Sequence, residues 1–261
     1  MSAEPPRRWR ALQRSEAAAG LDLEEAWPRV LEGAERMKEE PGTLLLREAG
    51  EPARWWKLYF ERGAQRALSP LARPRALREW RALRAAAARG LPAAPALLCA
   101  EARHGPWREA SLLVTGEVSG ARDLRRLLAP HPPGDPARRP WIEAAGRAAR
   151  AFHEAGLGHF RMQLRNLLAR SPGEGVVWLD LPYACVFPGP APRSVRLLDL
   201  VDLAGADSAL DAGETTLLLR AYAGGEAPPA DAGTLRGRGP GLQKLHRIGL
   251  YLLYQNTGCR P

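Results

Sequence analysis

The sequence predicts an α+β fold in two parts, a small β-rich N-terminal lobe with one main helix and a mostly helical C-terminal lobe. Three observations support this division. Residues 41–50 and 53–63 are two strand-like runs on either side of a turn, as in a β-hairpin. Residues 73–90 have apolar side chains at helical spacing. After residue 117 the segments become mostly helix-like, and no internal repeat is visible.

The N-terminal lobe is predicted to span residues 31–117 and to follow an adaptable arm at residues 1–30, with a helix over 24–36. The helix at 73–90 is expected to end at Gly90, because glycine readily adopts the conformation that closes helices. Residues 91–118 are then expected to form two further strands around a turn at His104-Gly105-Pro106. The order of elements in this lobe is therefore β-β-α-β-β.

The C-terminal lobe is predicted to span residues 118–261. Helices are expected at residues 121–129, 141–156, 195–205, 213–224 and 241–255. The last of them is amphipathic. An apolar strand is expected at residues 176–181, after a turn at 171–175.

Composition limits the classes of partner. The net charge is +9, which suits an anionic membrane surface or a phosphorylated substrate. Nucleic acid is not expected as a partner, because aromatic residues do not alternate with basic ones as on single-strand binding surfaces. The sequence shows neither an apolar run long enough to cross a membrane nor a secretory signal. Three cysteines at unrelated spacings fit a reducing compartment. We therefore expect a cytoplasmic protein, with peripheral association at the inner membrane face as a further expectation.

Lysine is rare in this sequence, and one lysine lies in the middle of a predicted strand. Alternation places Lys57 on the same strand face as Trp55 and Tyr59. Because arginine serves nearly everywhere else, a lysine here suggests a chemical role such as binding phosphate. The alternative is a lysine that protects an edge strand from aggregation.

Glu79 is the candidate partner of Lys57, since it is the only acid in the helix predicted at residues 73–90. A carboxylate there could hold the lysine ammonium against phosphates. The alternative is a surface ion pair with Arg75 or Arg78, which contributes only a few tenths of a kcal/mol.

A second group of polar residues follows the predicted helix at 141–156. Asn166 lies seven residues after His159, and Asp180 lies fourteen residues after Asn166. The intervening turn predicts a hairpin that brings an amide oxygen and a carboxylate side by side. Such oxygens suit Mg²⁺ bound jointly with nucleotide phosphates. Each residue alone would more often be structural.

The order Lys57, Glu79, HFRMQLRN and VVWLDLP resembles the protein-kinase-like fold. It is particularly similar to the bacterial lipopolysaccharide kinase family, which phosphorylates heptose or Kdo sugars of the inner core. The similarity covers roughly residues 40–225. By this resemblance Lys57 and Glu79 form the ion pair on the ATP phosphates, and Asn166 and Asp180 bind Mg²⁺.

The resemblance implies further roles. The segment 115–120, with Glu117, would contact adenine. Asp199 would be the buried acid that braces the catalytic loop, the alternative being an exposed helix acid. His159 would be structural and pack near the metal-binding turn.

The sequence departs from the family pattern at several positions. Gly42 is the only glycine of the expected phosphate loop, and Trp55 would occupy space that a nucleotide ring needs. Leu181 and Pro182 follow Asp180, which reduces backbone freedom after the metal ligand. The largest departure is Arg161, which stands at the catalytic Asp position. Its guanidinium stays protonated and offers only donors, so it cannot act as the base.

Three functions remain open from the sequence. The first is a pseudokinase that binds ATP-Mg between its lobes and serves as a regulator or scaffold. The second is an active ATP-dependent kinase for a lipopolysaccharide core sugar or another small-molecule hydroxyl, with Asp123 or an acid from the surroundings of the substrate in place of the missing one. The third is a basic cytoplasmic adaptor that binds no nucleotide because Trp55 fills the pocket.

The interval between Asp180 and Asp199 is short for a peptide-docking segment. It therefore favours an anionic glycolipid or sugar over a protein hydroxyl as the acceptor. A regulatory protein is the other class of partner expected. Arg161 is expected to contact a phosphate or to pair with Asp180.

Overall fold

The computed structural model describes residues 8–205 and 208–236, and the chain divides into two units. The N-terminal unit consists of residues 8–84 and 94–119, and the C-terminal unit of residues 85–93, 120–205 and 208–236. The helix predicted at residues 241–255 lies outside the described residues. No helix in the described ranges combines the length and apolar character needed to cross a membrane.

A six-stranded antiparallel sheet forms the N-terminal unit. Its strands in chain order are β1 (Arg10–Arg14), β2 (Glu35–Glu40), β3 (Thr43–Glu48), β4 (Arg54–Phe60), β5 (Ala96–His104) and β6 (Trp107–Gly116). Within the sheet they follow the order β1-β5-β6-β4-β3-β2. The hairpin predicted around the turn after residue 50 is the β3–β4 pair, and the two later strands predicted in this lobe are β5 and β6.

One face of this sheet carries the apolar core of the N-terminal unit. Trp56 and Leu58 of β4 lie on that face because successive side chains of a strand alternate. Helix α1 (Leu23–Gly33) packs there, with the ring centroid of Trp27 at 6.1 Å from that of Trp56. Residues 8–30, which the sequence separates as an arm, thus contribute β1 and most of α1 to this unit.

Two helices connect β4 to β5. The first is the short α2 (Ala64–Ala67), and the second is α3 (Arg75–Ala88), the main helix predicted for this lobe. Buried alanine and leucine side chains, such as Leu83, line one side of α3. Gly90, with a φ of +74°, follows the end of the helix as predicted.

The described part of the C-terminal unit is mostly helical, as predicted. Its helices are α4 (Leu124–Leu128), α5 (Arg139–Glu154), α6 (Arg193–Ala204), α7 (Ala212–Ala223) and α8 (Ala232–Arg236). Helices α5 and α7 approach closely at Gly146, where an added Cβ would lie 2.5 Å from the carbonyl oxygen of Leu218. These helices provide the frame on which the loops of the candidate site lie.

Short strands form two small sheets in the described part of the C-terminal unit. They are β7 (Arg122–Asp123), β8 (Leu157–Gly158), β9 (Leu167–Ala169), β10 (Val177–Trp178) and β11 (Cys185–Val186). Strands β10, β9 and β7 form one sheet in that order, and β11 pairs with β8. The strand predicted at 176–181 is shorter than expected because Asp180, with a φ of +56°, turns the chain.

Candidate active site

A lysine, a glutamate and a tyrosine form an ionic cluster in the N-terminal unit. Lys57 and Tyr59 belong to the same face of β4, and Glu79 lies on α3. The Lys57 Nζ lies 3.2 and 3.3 Å from the two carboxylate oxygens of Glu79. The Tyr59 hydroxyl donates a hydrogen bond to Oε2 of Glu79. The ion pair that the resemblance implies is therefore present, whereas its role toward phosphates stays a prediction.

Burial makes this cluster different from a surface ion pair. The Glu79 side chain is 3% exposed and that of Lys57 is 18% exposed. A buried carboxylate is stable only when charged and hydrogen-bonding partners surround it, and Glu79 has both in Lys57 and Tyr59. The Lys57 ammonium also lies 5.1 Å from the centroid of the Tyr59 ring. The cluster thus fixes the position of one ammonium that is still partly open to solvent, as a phosphate ligand requires.

Glu117, the residue predicted to contact adenine, is engaged by both its side chain and its backbone. Its carboxylate accepts two hydrogen bonds from Arg47, at 2.8 and 3.0 Å, and its backbone N–H donates to the carbonyl oxygen of Ala53 at 2.9 Å. The hydrogen bond from Arg47 holds the pKa of Glu117 below its ordinary value. A nucleotide contact at Glu117 stays a prediction.

Asp199 ties the loop after β8 to helix α6. Its Oδ2 accepts a hydrogen bond from the backbone N–H of His159 at 2.7 Å, and its Oδ1 accepts one from Phe160 at 2.6 Å. His153 Nε2 lies 3.1 Å from the same Oδ2. The carboxylate is fully buried, so the alternative of an exposed helix acid is wrong.

The backbone that Asp199 holds is strained. Phe160 has a φ of +62°, in the left-handed region that residues other than glycine rarely adopt. Such a conformation persists only where the surrounding structure imposes it. The two hydrogen bonds to Asp199 provide that constraint, and they fix the direction in which the following residue, Arg161, leaves the loop.

His159 packs among aromatic rings. Its ring centroid lies 6.1 Å from that of Phe152 and 6.0 Å from that of Trp178, and the residue is buried. Burial lowers the pKa of His159, although the carboxylates of Asp199 and Asp180 act in the opposite direction. A buried imidazole with a lowered pKa is neutral at pH 7, which favours the structural role predicted for it.

Arg161 is exposed and lies over an aromatic ring. The guanidinium carbon is 5.6 Å from the centroid of the Tyr183 ring. Arg161 takes part in no ion pair with the residues that the structure describes, so the pairing with Asp180 considered from the sequence is not formed. The carbonyl oxygen of Arg161 accepts a hydrogen bond from Asn166 Nδ2 at 3.1 Å. The Arg161 side chain is thus an exposed cation, and its correspondence to the catalytic acid of the family stays a prediction.

Asn166 and Asp180 lie on the hairpin that the sequence predicts. Strands β9 and β10 pair antiparallel, and the backbone N–H of Leu179 donates to the carbonyl oxygen of Asn166 at 3.0 Å. Asp180 follows directly and is partly exposed. Because Asn166 donates through Nδ2, its amide oxygen remains as the atom suited to a cation. One amide oxygen and one carboxylate fit Mg²⁺ that is shared with phosphates.

The residues described for this chain contain no cluster of three or more His, Cys, Asp or Glu side chains that could hold a metal ion. The predicted Mg²⁺ ligands, Asn166 and Asp180, are only two protein groups. The binding of Mg²⁺ at this hairpin therefore stays a prediction that depends on the nucleotide.

Several contacts of the site were not predicted from the sequence. The Tyr222 hydroxyl lies 3.0 Å from Nδ1 of His153, which connects helix α7 to Asp199 through the imidazole. Tyr183 lies under Arg161. Neither contact follows a local spacing, so no sequence pattern indicates it. Tyr59, two residues after Lys57 on the same strand face, could have been recognised as a partner of Glu79.

The sheet of the N-terminal unit, the helical C-terminal unit and these loops define a protein of kinase-like fold, as predicted. A solved structure described as WaaP in complex with acyl carrier protein has this fold, with a TM-score of 0.59 and 22% sequence identity. The match covers 94% of this chain and 99% of that chain.

The particular family follows from the sequence. The model of the Lipopolysaccharide kinase (Kdo/WaaP) family matches residues 49–182, just over half of the 261 residues. The chain therefore belongs to this family, which confirms the resemblance. A comparison with curated proteins found no match.

Proposed function

We propose that this protein binds ATP-Mg and is a pseudokinase or an impaired phosphotransferase. Lys57, with Glu79, would contact the phosphates, and Asn166 and Asp180 would hold the metal. The observation that carries the proposal is the contrast within one loop. Asp199 holds the backbone of that loop through two hydrogen bonds. By the family resemblance, Arg161 stands where the family has its catalytic acid.

The chemistry of Arg161 explains the impairment. Bound ATP-Mg supplies a phosphoryl group and the charge that stabilises its transfer. The protein must also orient the acceptor hydroxyl and take its proton, which a carboxylate can do and a guanidinium cannot. Loss of a positioned base typically slows a reaction about 10²–10⁴-fold. Arg161 would leave nucleotide binding intact and slow transfer.

An active kinase is the second candidate. Phosphoryl transfer depends more on positioning and charge stabilisation than on the base. Arg161 is exposed and carries no ion pair with the described residues, so its charge is available for a phosphate. The reaction would be ATP-dependent phosphorylation of a heptose or Kdo sugar of the lipopolysaccharide core, or of another small-molecule hydroxyl.

Nucleotide binding is tested with a thermal shift assay in Mg-ATP. At a ligand concentration of 100 Kd, binding adds about 2.7 kcal/mol to the free energy of unfolding, which raises Tm by several degrees. Lys57→Ala and Asp180→Ala should abolish this increase. The matched control is Lys38→Ala, because Lys38 is exposed on β2 and pairs only with a neighbouring glutamate at 2.9 Å.

A parent protein that shows no Mg-ATP shift would support the third reading, an adaptor whose pocket is filled by Trp55. Turnover of ATP with a core-sugar acceptor, measured in the parent protein, distinguishes the first two. Turnover at a rate ordinary for kinases would rule out the pseudokinase.

The partners follow from the family and the charge. An anionic glycolipid or sugar is the acceptor that we propose, and the protein would act in the cytoplasm, at the inner membrane face. A protein partner is the alternative, since the structurally similar WaaP was solved in complex with acyl carrier protein. Size-exclusion chromatography of this chain mixed with purified acyl carrier protein tests that alternative.

A further inference from the structure

Exposed large apolar side chains are concentrated on one part of the N-terminal unit. In the described part of the chain the large apolar side chains that are exposed are Leu71 (91%), Leu68 (59%), Met37 (42%) and Trp107 (41%). Leu68 and Leu71 follow α2, and Trp107 begins β6. Three of the four thus belong to two neighbouring segments, which we call the Leu-Trp surface. An exposed apolar group of this kind indicates an interaction site.

A buried arginine joins the two segments. The backbone N–H of Arg108, next to Trp107, donates to Oγ of Ser69 at 2.8 Å. Its guanidinium donates to the carbonyl oxygens of Ser69 at 2.9 Å and Ala72 at 2.5 Å. Ser69 directly follows Leu68, and Ala72 directly follows Leu71. The segment that carries the leucines is therefore attached to the residue beside Trp107.

The arginine is itself held by buried carboxylates. Arg108 is 2% exposed and lies 3.3 Å from Glu101 and 3.6 Å from Glu61. A buried ion pair with its hydrogen bonds satisfied costs several kcal/mol to disrupt. The backbone that carries Leu68 and Leu71 is consequently held in place by Arg108.

Basic residues outnumber acidic ones around the Leu-Trp surface. From residue 62 to residue 78 the sequence contains five arginines and no acid. Arg62, Arg66 and Arg73 are exposed, and Arg66 lies 3.7 Å from Glu109. Arg103, near the end of β5 before the turn to Trp107, is exposed as well and pairs with Glu101 at 2.7 Å. Met37, by contrast, lies on β2, where the two cations Arg36 and Lys38 are paired with Glu39 and Glu40.

We propose that the Leu-Trp surface docks this protein on an anionic lipid bilayer. The side chains of Leu68, Leu71 and Trp107 enter the interface, and the surrounding arginines pair with lipid phosphates. Leucine and tryptophan among basic residues are the composition of interfacial anchors. Each basic residue near an anionic membrane adds to the attraction, and salt weakens it.

A bilayer fits these side chains better than a folded partner does. A leucine that is 91% exposed projects from its own surface and lies in no groove. A protein would need a matching pocket and a contact area of about 800 Å² per partner, whereas lipid surrounds a projecting side chain without either. This inference rests on the proposed function only for the location of the acceptor, because docking on lipid requires no nucleotide.

Co-sedimentation with vesicles tests the proposal. The full chain, without nucleotide, is mixed with vesicles of phosphatidylcholine alone or with added phosphatidylglycerol. The parent should bind the anionic vesicles and lose that binding in 1 M salt, where the Debye length falls to about 3 Å. Leu68→Ser with Leu71→Ser should lower the partition coefficient at least about tenfold, since each buried leucine contributes hydrophobic free energy.

Two further variants separate the possible outcomes. Met37→Ser removes a side chain about as exposed as Trp107 from a strand whose cations are paired with glutamates, and it should leave binding unchanged. Trp107→Ala should weaken binding and provides a second variant outside the leucine segment. Unaltered vesicle binding by the leucine variant, or binding of purified acyl carrier protein through this surface with none to vesicles, would overturn the proposal.

Discussion

The ionic cluster on β4 and the loop held by Asp199 differ in how closely their residues match the family pattern. In the N-terminal unit, Lys57 and Glu79 combine family-like residues with the geometry expected of them. In the C-terminal unit the loop backbone is held by a buried carboxylate, but the residue that we predict to stand at the position of the catalytic acid is the exposed Arg161. The buried frame of a site and its exposed reacting group can therefore change independently.

Burial accounts for this difference. Removal of Glu79 takes a buried carboxylate from the Lys57 ammonium, and removal of Asp199 takes one from two backbone N–H groups, which costs stability. Arg161 is exposed and supports no buried group, so a substitution there changes chemistry with little effect on folding. Substitutions in the ionic cluster and in the loop test whether burial causes this difference.

The largest effect is expected from restoring the acid. Arg161→Asp should raise phosphotransfer to a heptose or Kdo acceptor by about 10²–10⁴-fold, because it returns a positioned base to an otherwise maintained loop. Acceptor-dependent ATP turnover measures this change. Arg165→Asp is the matched control, since Arg165 is exposed in the same loop, and it should give no increase. If neither variant gains activity, the loop lacks more than its base.

The second effect concerns the frame of that loop. Asp199→Ala leaves the backbone N–H groups of His159 and Phe160 unpaired in a buried, strained turn. The free energy of unfolding should fall by about 3–5 kcal/mol, as measured by urea denaturation. Glu143→Gln, which alters a partly exposed ion pair on α5, should change it by less than about 0.5 kcal/mol. A loss near that of the control would mean that Asp199 does not hold the loop.

The corresponding change in the N-terminal unit is Glu79→Ala. It leaves the Lys57 ammonium and the Tyr59 hydroxyl without their carboxylate, and the free energy of unfolding should fall by about 2–4 kcal/mol. Glu109→Ala disrupts an exposed pair with Arg66 and should cost less than about 0.5 kcal/mol. Equal urea midpoints for the two variants would contradict the comparison, because the cluster would then behave as a surface pair.

The parts of the fold that the sequence predicted are those with an apolar pattern. Strands β3 and β4 largely alternate buried and partly buried positions, and helices α3 and α5 carry apolar stripes. Strands β1 and β2 were not predicted, because RALQR contains no buried residue and ERMKEE is exposed at every position. They pair through backbone hydrogen bonds at the edges of the sheet, and such bonds require no pattern of polar and apolar side chains.

The site was predictable to the extent that it follows spacing. The hairpin of Asn166 and Asp180 follows from a turn between two apolar runs. The contacts of Asp199 cross forty residues to His159, and those of Tyr222 cross 69 residues to His153, so only the family resemblance suggested the first and nothing suggested the second. Such contacts arise when helices pack, and spacing along the chain does not encode them.

The smallest effect is a pH dependence at the edge of the N-terminal sheet. Arg47 lowers the pKa of Glu117 in the folded state, so this pair stabilises the fold only while the carboxylate is charged. The stabilisation is complete above the unfolded value of about 4.3 and is lost as the pH falls through the lower folded pKa. Urea denaturation of Glu117→Gln should show a small deficit at pH 7 that disappears in strong acid. A Glu117→Gln deficit that persists in strong acid would mean that the side chain acts by packing instead of charge.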